Sequence, residues 1–285
     1  MPDFSQSTDE TYADGKILLS VIDGIGLITF NNPEKRNAMS LEMWHGLISA
    51  LVELRDDPDV RVVIMAGAGD RAFVSGADVS QFEKTRHNAE ASEEYLRRSA
   101  GQGAILAEYP KPTIACIRGF CLGGGLQVAM LADIRIAGDS SEFGFPAAKL
   151  GVAYGYSDLN RLVSLVGPSR AKLLMYTGMR IDSAEALRIG VIDRVVPDAD
   201  LWNATIEIAS TISGNAPLAI EAAKITITQV LKDPGMRDMG AIREIAAACM
   251  DSNDAREGRQ AFMEKRRPHF RGRECELREA ATRLP

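Results

Sequence analysis

The sequence predicts an α/β fold, a layered core followed by a helical C-terminal region. Three observations predict it. Apolar strand-like runs alternate with helix-like ones between Ile22 and Pro197. Strand-turn-helix units recur along that stretch without an exact sequence period, which allows a spiral of similar units. Beyond Pro197 only helix-like segments follow.

The elements fall in order. Residues 1–15 are polar and are expected to form a flexible N-terminus. Apolar alternation over Ile22–Phe30 reads as one strand, closed by Asn31-Asn32-Pro33. Ser40 suits the N-cap of a helix carrying Met43, Leu47, Ala50, Leu51 and Leu54 at helical spacing, and Pro58 ends it. Val60–Ala66 reads as a buried strand running into the turn Gly67–Asp70. Residues 78–108 form a charged, helix-prone stretch ahead of Pro110 and Pro112, and strands are expected over 113–118, 133–137 and 142–145. Helices are expected over 198–213, 216–232, 235–251 and 253–267. The chain is therefore divided into 1–15, an α/β core over 16–197 and a helical region over 198–285.

Composition excludes several classes. A net charge of −6 with no basic stripe gives no reason to expect nucleic acid as a partner. No apolar run reaches the length of a membrane span, so no membrane partner is expected. Met1–Gln6 lacks a positive start and an apolar core, so no signal peptide is expected. Cys116, Cys121, Cys249 and Cys275 have no closely spaced histidine partner, so no metal is expected. Burial as small hydrophobes suits Cys116 and Cys121 and a reducing, cytoplasmic setting.

The run Gly123-Gly124-Gly125 closes the apolar segment Thr113–Phe120 and opens the helix-like segment Leu126–Ala132. Glycines let main chain approach a ligand closely, and a helix start leaves N–H groups unpaired. Together they make a donor site for an anion or a developing oxyanion. Gln127, one turn in, aims near the same place, but an amide does not shuttle protons.

Three segments come in a telling order: Asn32-Pro33-Glu34-Lys35-Arg36-Asn37-Ala38, Ala72-Phe73-Val74-Ser75-Gly76-Ala77-Asp78-Val79 and Gly119-Phe120-Cys121-Leu122-Gly123-Gly124-Gly125. With Phe143–Pro146, Leu150-Gly151, Thr177-Gly178, Ala184–Gly190 and the tail Glu257–Arg266, they resemble the crotonase (enoyl-CoA hydratase/isomerase) superfamily over nearly the whole chain. The resemblance implies a spiral of ββα units followed by helices that mediate trimerisation, often as a dimer of trimers. It implies an acyl-coenzyme A thioester as substrate and partner, with coenzyme A part of the substrate and no further cofactor. It assigns the backbone N–H groups of Ala77 and Gly124 to the thioester oxygen, beside the small residues Ser75 and Gly76. Arg36 falls where the family often holds the CoA phosphates, although a solvated loop charge is an equal reading. Ala38, Ala72 and Val79 match positions along the adenine and pantetheine path, and Asp78 belongs to the same loop. Phe262 and Lys265 match tail residues that help close the CoA site. For Lys265 a basic helix face with Arg266 and Arg267 is the alternative.

The pattern breaks at the two glutamates with which such hydratases handle water. Gln127 and Ala147 occupy those positions. Adding water needs one group to take a proton and one to deliver it, and neither an amide nor a methyl does so. Asp158 and Tyr154 are the candidate substitutes, against readings as a helix N-terminal residue and a packed aromatic. Glu83 is a weaker candidate, and Glu142 is expected on a strand edge. His45, His87 and His269 match no catalytic position. Leu150-Gly151-Val152-Ala153-Tyr154 is also similar to a run in methylmalonyl-CoA decarboxylases. Three readings stand: an enoyl-CoA hydratase/isomerase-type enzyme with relocated acid/base groups, a decarboxylase of CoA thioesters, and a non-catalytic CoA-thioester binding protein.

Overall fold

The computed structural model describes residue 4 and residues 8–78 and 89–272. It divides into two compact units, Met1–Tyr109 with Thr113–Ala209, and Pro110–Pro112 with Ser210–Pro285.

The first unit holds two sheets. The larger has the order β1 (Glu10–Tyr12), β2 (Ile17–Ile22), β3 (Ile25–Phe30), β4 (Val62–Gly67), β6 (Thr113–Ile117), β8 (Ile134–Gly138), β11 (Arg194–Val196). The smaller has the order β10 (Arg180–Asp182), β9 (Glu142–Gly144), β7 (Phe120–Leu122), β5 (Ala72–Val74). The winding is regular. β4 enters the large sheet and β5 the small one before helix α2 (Ala89–Ala107); β6 and β7 repeat this before α3 (Gly124–Leu131), and β8 and β9 before α4 (Ala147–Leu150). Each turn is a ββα unit. Because β5, β7 and β9 run parallel, their C-terminal ends share one edge. The segments that follow them, Ser75–Asp78, Gly123–Gly125 and Phe145–Ala147, therefore converge.

Between these elements the core is apolar and closely filled. Helix α1 (Leu41–Asp56) starts where Met43 N–H donates to Ser40 Oγ at 3.2 Å, as the capping sequence predicts. Met43, Leu47, Ala50, Leu51 and Leu54 are all buried as α1 packs on β2 and β3. Full burial of a leucine-sized side chain stabilises by about 1.5–3 kcal/mol. Helices α5 (Tyr156–Val166), α6 (Pro168–Thr177) and α7 (Ser183–Ile189) follow.

Several expectations in the first unit need correction. Residues 10–12, inside the stretch expected to be flexible, form β1, paired with β2 through a turn at Ala13-Asp14-Gly15 with positive φ at each residue. The strand expected over Ile22–Phe30 is the second arm of a hairpin, with its turn at Asp23-Gly24. The apolar segment Thr113–Phe120 is two strands in different sheets, divided at Arg118-Gly119.

After α8 (Leu201–Ser213), the second unit continues with α9 (Pro217–Val230), a 3-10 turn at Pro234–Met236, α10 (Met239–Asp251) and α11 (Asn253–Glu264). The single helix expected over 235–251 is broken because the Asp238 side chain caps α10, accepting from Ala241 N–H at 2.8 Å. In this unit the buried Asp254 carboxylate accepts from the N–H groups of Arg271 and Gly272 at 2.7 and 2.9 Å, which ties down the chain after α11.

Candidate active site

Two main-chain amides meet at the shared strand edge. After β5, Met39 N–H donates to Gly76 O at 2.8 Å, and Asp78 N–H donates to Met39 O at 2.8 Å. Bonding on both sides of Ala77 leaves the N–H of Ala77 itself on the opposite side, because alternate residues of an extended chain point opposite ways. After β7, Gly123 turns the chain with φ +52, and its N–H donates to Gly144 O at 2.9 Å. Gly124 is the first residue of α3, so its N–H has no partner within the helix. A Cβ built on Gly124 would lie 3.6 Å from Ala77 N. The two amide nitrogens are therefore within about 6 Å of each other, allowing about 2.5 Å between a Cβ and its own nitrogen. Among the described residues neither amide donates to another main-chain group. Close packing holds α3 in place: a Cβ on Gly125 would lie 2.0 Å from Val74 O.

The side chains beside these amides come from α3 and from the segment entering α5. Gln127 Oε1 lies 3.6 Å from the position of a Cβ on Gly124. Its amide also hydrogen-bonds the Asp158 carboxyl. Asp158 stands in the first turn of α5, after the N-cap Gly155, whose N–H it also accepts. Asp158 thus stands at the helix end, with its carboxyl also toward Gln127. The Tyr154 hydroxyl is 3.4 Å from the position of a Cβ on Gly123, and its ring packs edge-on against Phe145 at 5.1 Å. Ala147, at the start of α4, is buried and offers only a methyl. The structure thus brings Ala77, Gly124, Gln127, Tyr154 and Asp158 into one region.

Partial burial raises the Asp158 carboxyl above the ordinary carboxylate range, against the lowering effect of its bonds to Gln127 and Gly155. A carboxyl raised on folding contributes stability present below its unfolded pKa and lost as pH rises through its folded pKa. The charge therefore costs stability at neutral pH. Asp158→Asn keeps an oxygen to accept from Gln127 and carries no charge. This variant is expected to melt at a higher temperature than the native protein at pH 7, with the difference shrinking on acidification toward the unfolded carboxylate pKa. Thermal melts across that range check it.

The remaining candidates are spread more widely. Arg36 closes the 3-10 turn Pro33–Lys35 in a left-handed conformation, with its guanidinium 5.3 Å from the Phe120 ring centroid. Arg180, which sequence reasoning missed, lies 5.1 Å from the same centroid and pairs with Glu142 at 3.2 Å. Glu142 is the first residue of β9, which runs between β10 and β7. Ser75 N–H donates to Arg36 O at 3.1 Å, and the Asp78 carboxylate pairs with Lys35 at 2.9 Å. Gly76 has φ +130, and Ala38 is half-buried. Asn37, also missed, is fully buried and donates from Nδ2 to Ala68 O and Ala72 O at 3.0 and 2.8 Å. It latches the Arg36 loop onto buried Ala72; its positive φ, which asparagine tolerates, is the signal that goes with the motif. Phe262 and Lys265 lie in the second unit, Phe262 exposed on α11 and Lys265 just past its end. Val79, Glu83 and His87 fall outside the described residues. No group of three or more metal-ligating side chains is arranged for an ion among the described residues.

The winding of paired strands through two sheets is a crotonase-type α/β fold. The family model for enoyl-CoA hydratase/isomerase matches residues 21–273, and the chain is an enzyme of that family. The short-chain-enoyl-CoA hydratase of Clostridium acetobutylicum is 34% identical over 251 residues, spanning 88% of this chain and 95% of its own. The crotonyl-CoA hydratase of Syntrophomonas wolfei is 33% identical over 256 residues, spanning 89% and 97%. Among solved structures, an enoyl-CoA hydratase/carnithine racemase from Magnetospirillum magneticum superposes with a TM-score of 0.87 at 33% identity, covering 92% of this chain and 98% of that one. An enoyl-CoA hydratase from Bacillus anthracis gives a TM-score of 0.84 at 32% identity, covering 90% and 100%.

Proposed function

We propose that the protein adds water to, or removes it from, an acyl-CoA thioester, holding the thioester oxygen between the N–H groups of Ala77 and Gly124 while Asp158 handles the proton. The observation that carries this is the approach of Ala77 N to within 3.6 Å of the Gly124 Cβ position, where neither amide donates to another main-chain group among the described residues. When water attacks C3 of an enoyl thioester, its oxygen bonds to C3 and the C2–C3 π pair moves toward the carbonyl. Negative charge collects on the thioester oxygen, where two preorganised donors each contribute about 3 kcal/mol. The Asp158 carboxylate takes the proton that water loses and returns it to C2, so protons balance with a single carboxyl. Burial makes Asp158 a better base than an ordinary aspartate, which favours the first transfer. The CoA portion would lie along Ala38, Ala72, Ser75, Gly76 and Asp78, with Arg36 toward its phosphates. No further cofactor enters this scheme.

A decarboxylase is the second reading, and the Tyr154 hydroxyl beside Gly123 is the observation that favours it. A tyrosine there suits a departing carboxylate, and the same two amides would hold the resulting enolate. One assay separates these readings. Crotonyl-CoA is expected to lose the absorbance of its conjugated double bond in the presence of the protein. Unchanged absorbance together with release of carbon dioxide from malonyl-type thioesters would instead establish the decarboxylase. Binding of both thioesters without turnover would establish a binding protein.

We also propose a homotrimer or a dimer of trimers in a cytoplasmic setting. The exposed apolar side chains Ile227, Val230, Leu231, Met236, Met239, Met250, Phe262 and Met263 of the second unit support this reading. Cys116 and Cys121 are buried free thiols, which suits a reducing compartment, and no described helix is long and apolar enough to cross a membrane.

A further inference from the structure

We infer that Asn37 is a positioning residue for the thioester carbonyl: its buried side-chain amide sets the loop that holds the Ala77 N–H in place. The inference rests on the thioester reading and adds the residue that shapes its first donor. Asn37 is fully buried, and both ends of its side chain bond to main chain. Nδ2 donates to Ala68 O and Ala72 O at 3.0 and 2.8 Å, while Oδ1 accepts from Asn32 N–H at 2.9 Å. One side chain thus joins the start of its own loop, the turn after β4 and the first residue of β5. Gly67 leaves it room, since a Cβ there would stand 2.7 Å from Nδ2.

The loop fixed by this amide bonds directly to the residues around Ala77. Ser75 N–H donates to Arg36 O at 3.1 Å, Met39 N–H donates to Gly76 O at 2.8 Å, and Asp78 N–H donates to Met39 O at 2.8 Å. Lys35 Nζ adds an ion pair to Asp78 at 2.9 Å. These contacts lie on both sides of the Ala77 amide, so its place follows that of Met39, two residues along from Asn37. The amino-acid type matters too. The backbone at Asn37 has φ +56, which asparagine tolerates. Glycine would take that φ but has no side chain to bond. Aspartate would keep the acceptor for Asn32 and turn lone pairs toward two carbonyls. A main-chain donor serves a carbonyl only at hydrogen-bond distance, and misplacement by about 1 Å is enough to weaken its hold.

The test is equilibrium binding by calorimetry with two probes, butyryl-CoA and the thioether S-butyl-CoA, which has the same chain length but no carbonyl oxygen. The native protein is expected to bind the thioester about tenfold more tightly than the thioether. Asn37→Gly and Asn37→Asp are expected to bind the thioether within about twofold of the native protein and to lose most of the preference. Thioether binding reports that each variant is folded. Infrared spectra of bound butyryl-CoA with an isotope-labelled carbonyl read the same donor. The C=O stretch is expected to fall on binding to the native protein and to return toward its free value in both variants. A preference and a stretch that stay native in the two variants, whatever their melting temperatures, would overturn the role of Asn37 alone. Loss of both probes together in both variants would also overturn it, because Asn37 would then support the whole pocket. Equal binding of the probes by the native protein, or binding of neither, would overturn the thioester reading itself, and this inference with it.

Discussion

Gly124→Ala is expected to lower turnover of the enoyl thioester by about 10²–10³-fold while the protein keeps its native fold. The added methyl would stand 3.6 Å from both Ala77 N and Gln127 Oε1, ordinary contact distances that force no backbone shift. Helical residues also favour alanine over glycine by about 1 kcal/mol, so the helix itself does not suffer. The methyl would instead cover the place where the two amides are proposed to hold a thioester oxygen. The neighbouring position supplies the contrast. In Gly125→Ala the new atom would lie 2.0 Å from Val74 O, a main-chain atom that cannot yield, and this variant is expected to fold poorly. Circular dichroism and thermal melts, read beside initial rates, check both. Native rates in Gly124→Ala would reject the paired-amide site.

Asp158→Asn is expected to lower turnover roughly tenfold or more, because the oxygen that remains can accept a hydrogen bond but cannot carry a proton. Slower chemistry in this variant should accompany a more stable protein at neutral pH, since the charge that costs stability is the one that takes the proton. Tyr154→Phe removes the other nearby hydroxyl and is expected to slow turnover by a similar factor. Steady-state rates of both variants on crotonyl-CoA decide the matter. Full activity in both would move proton handling to another group.

The two loops that meet beside Ala77 and Gly124 were readable before any coordinates. Main-chain donors need small residues close by, and Ser75-Gly76-Ala77 and the triple glycine advertise that need directly. The helix cap at Ser40 and the long strands were readable for the same reason, since local chemistry determines them. The small sheet was not. Its strands are three residues long, too short to show alternation, and they exist because neighbouring turns of the spiral pair with one another. The link between Gln127 and Asp158 was equally hidden. Each residue stood out alone, but the hydrogen bond between them depends on how α3 packs on α5. Arg180 escaped notice because only the pairing of β10 with β9 brings it to Phe120.

The groups assigned to the substrate oxygen are peptide amides at the ends of β5 and β7, and every amino acid but proline carries one. Under the proposed function, exchanging a glutamate for Gln127 or for Ala147 would therefore change which bonds are made and broken without disturbing the grip on the carbonyl. A spiral built this way can keep one thioester anchor while its reaction is rewritten from the side-chain layer above.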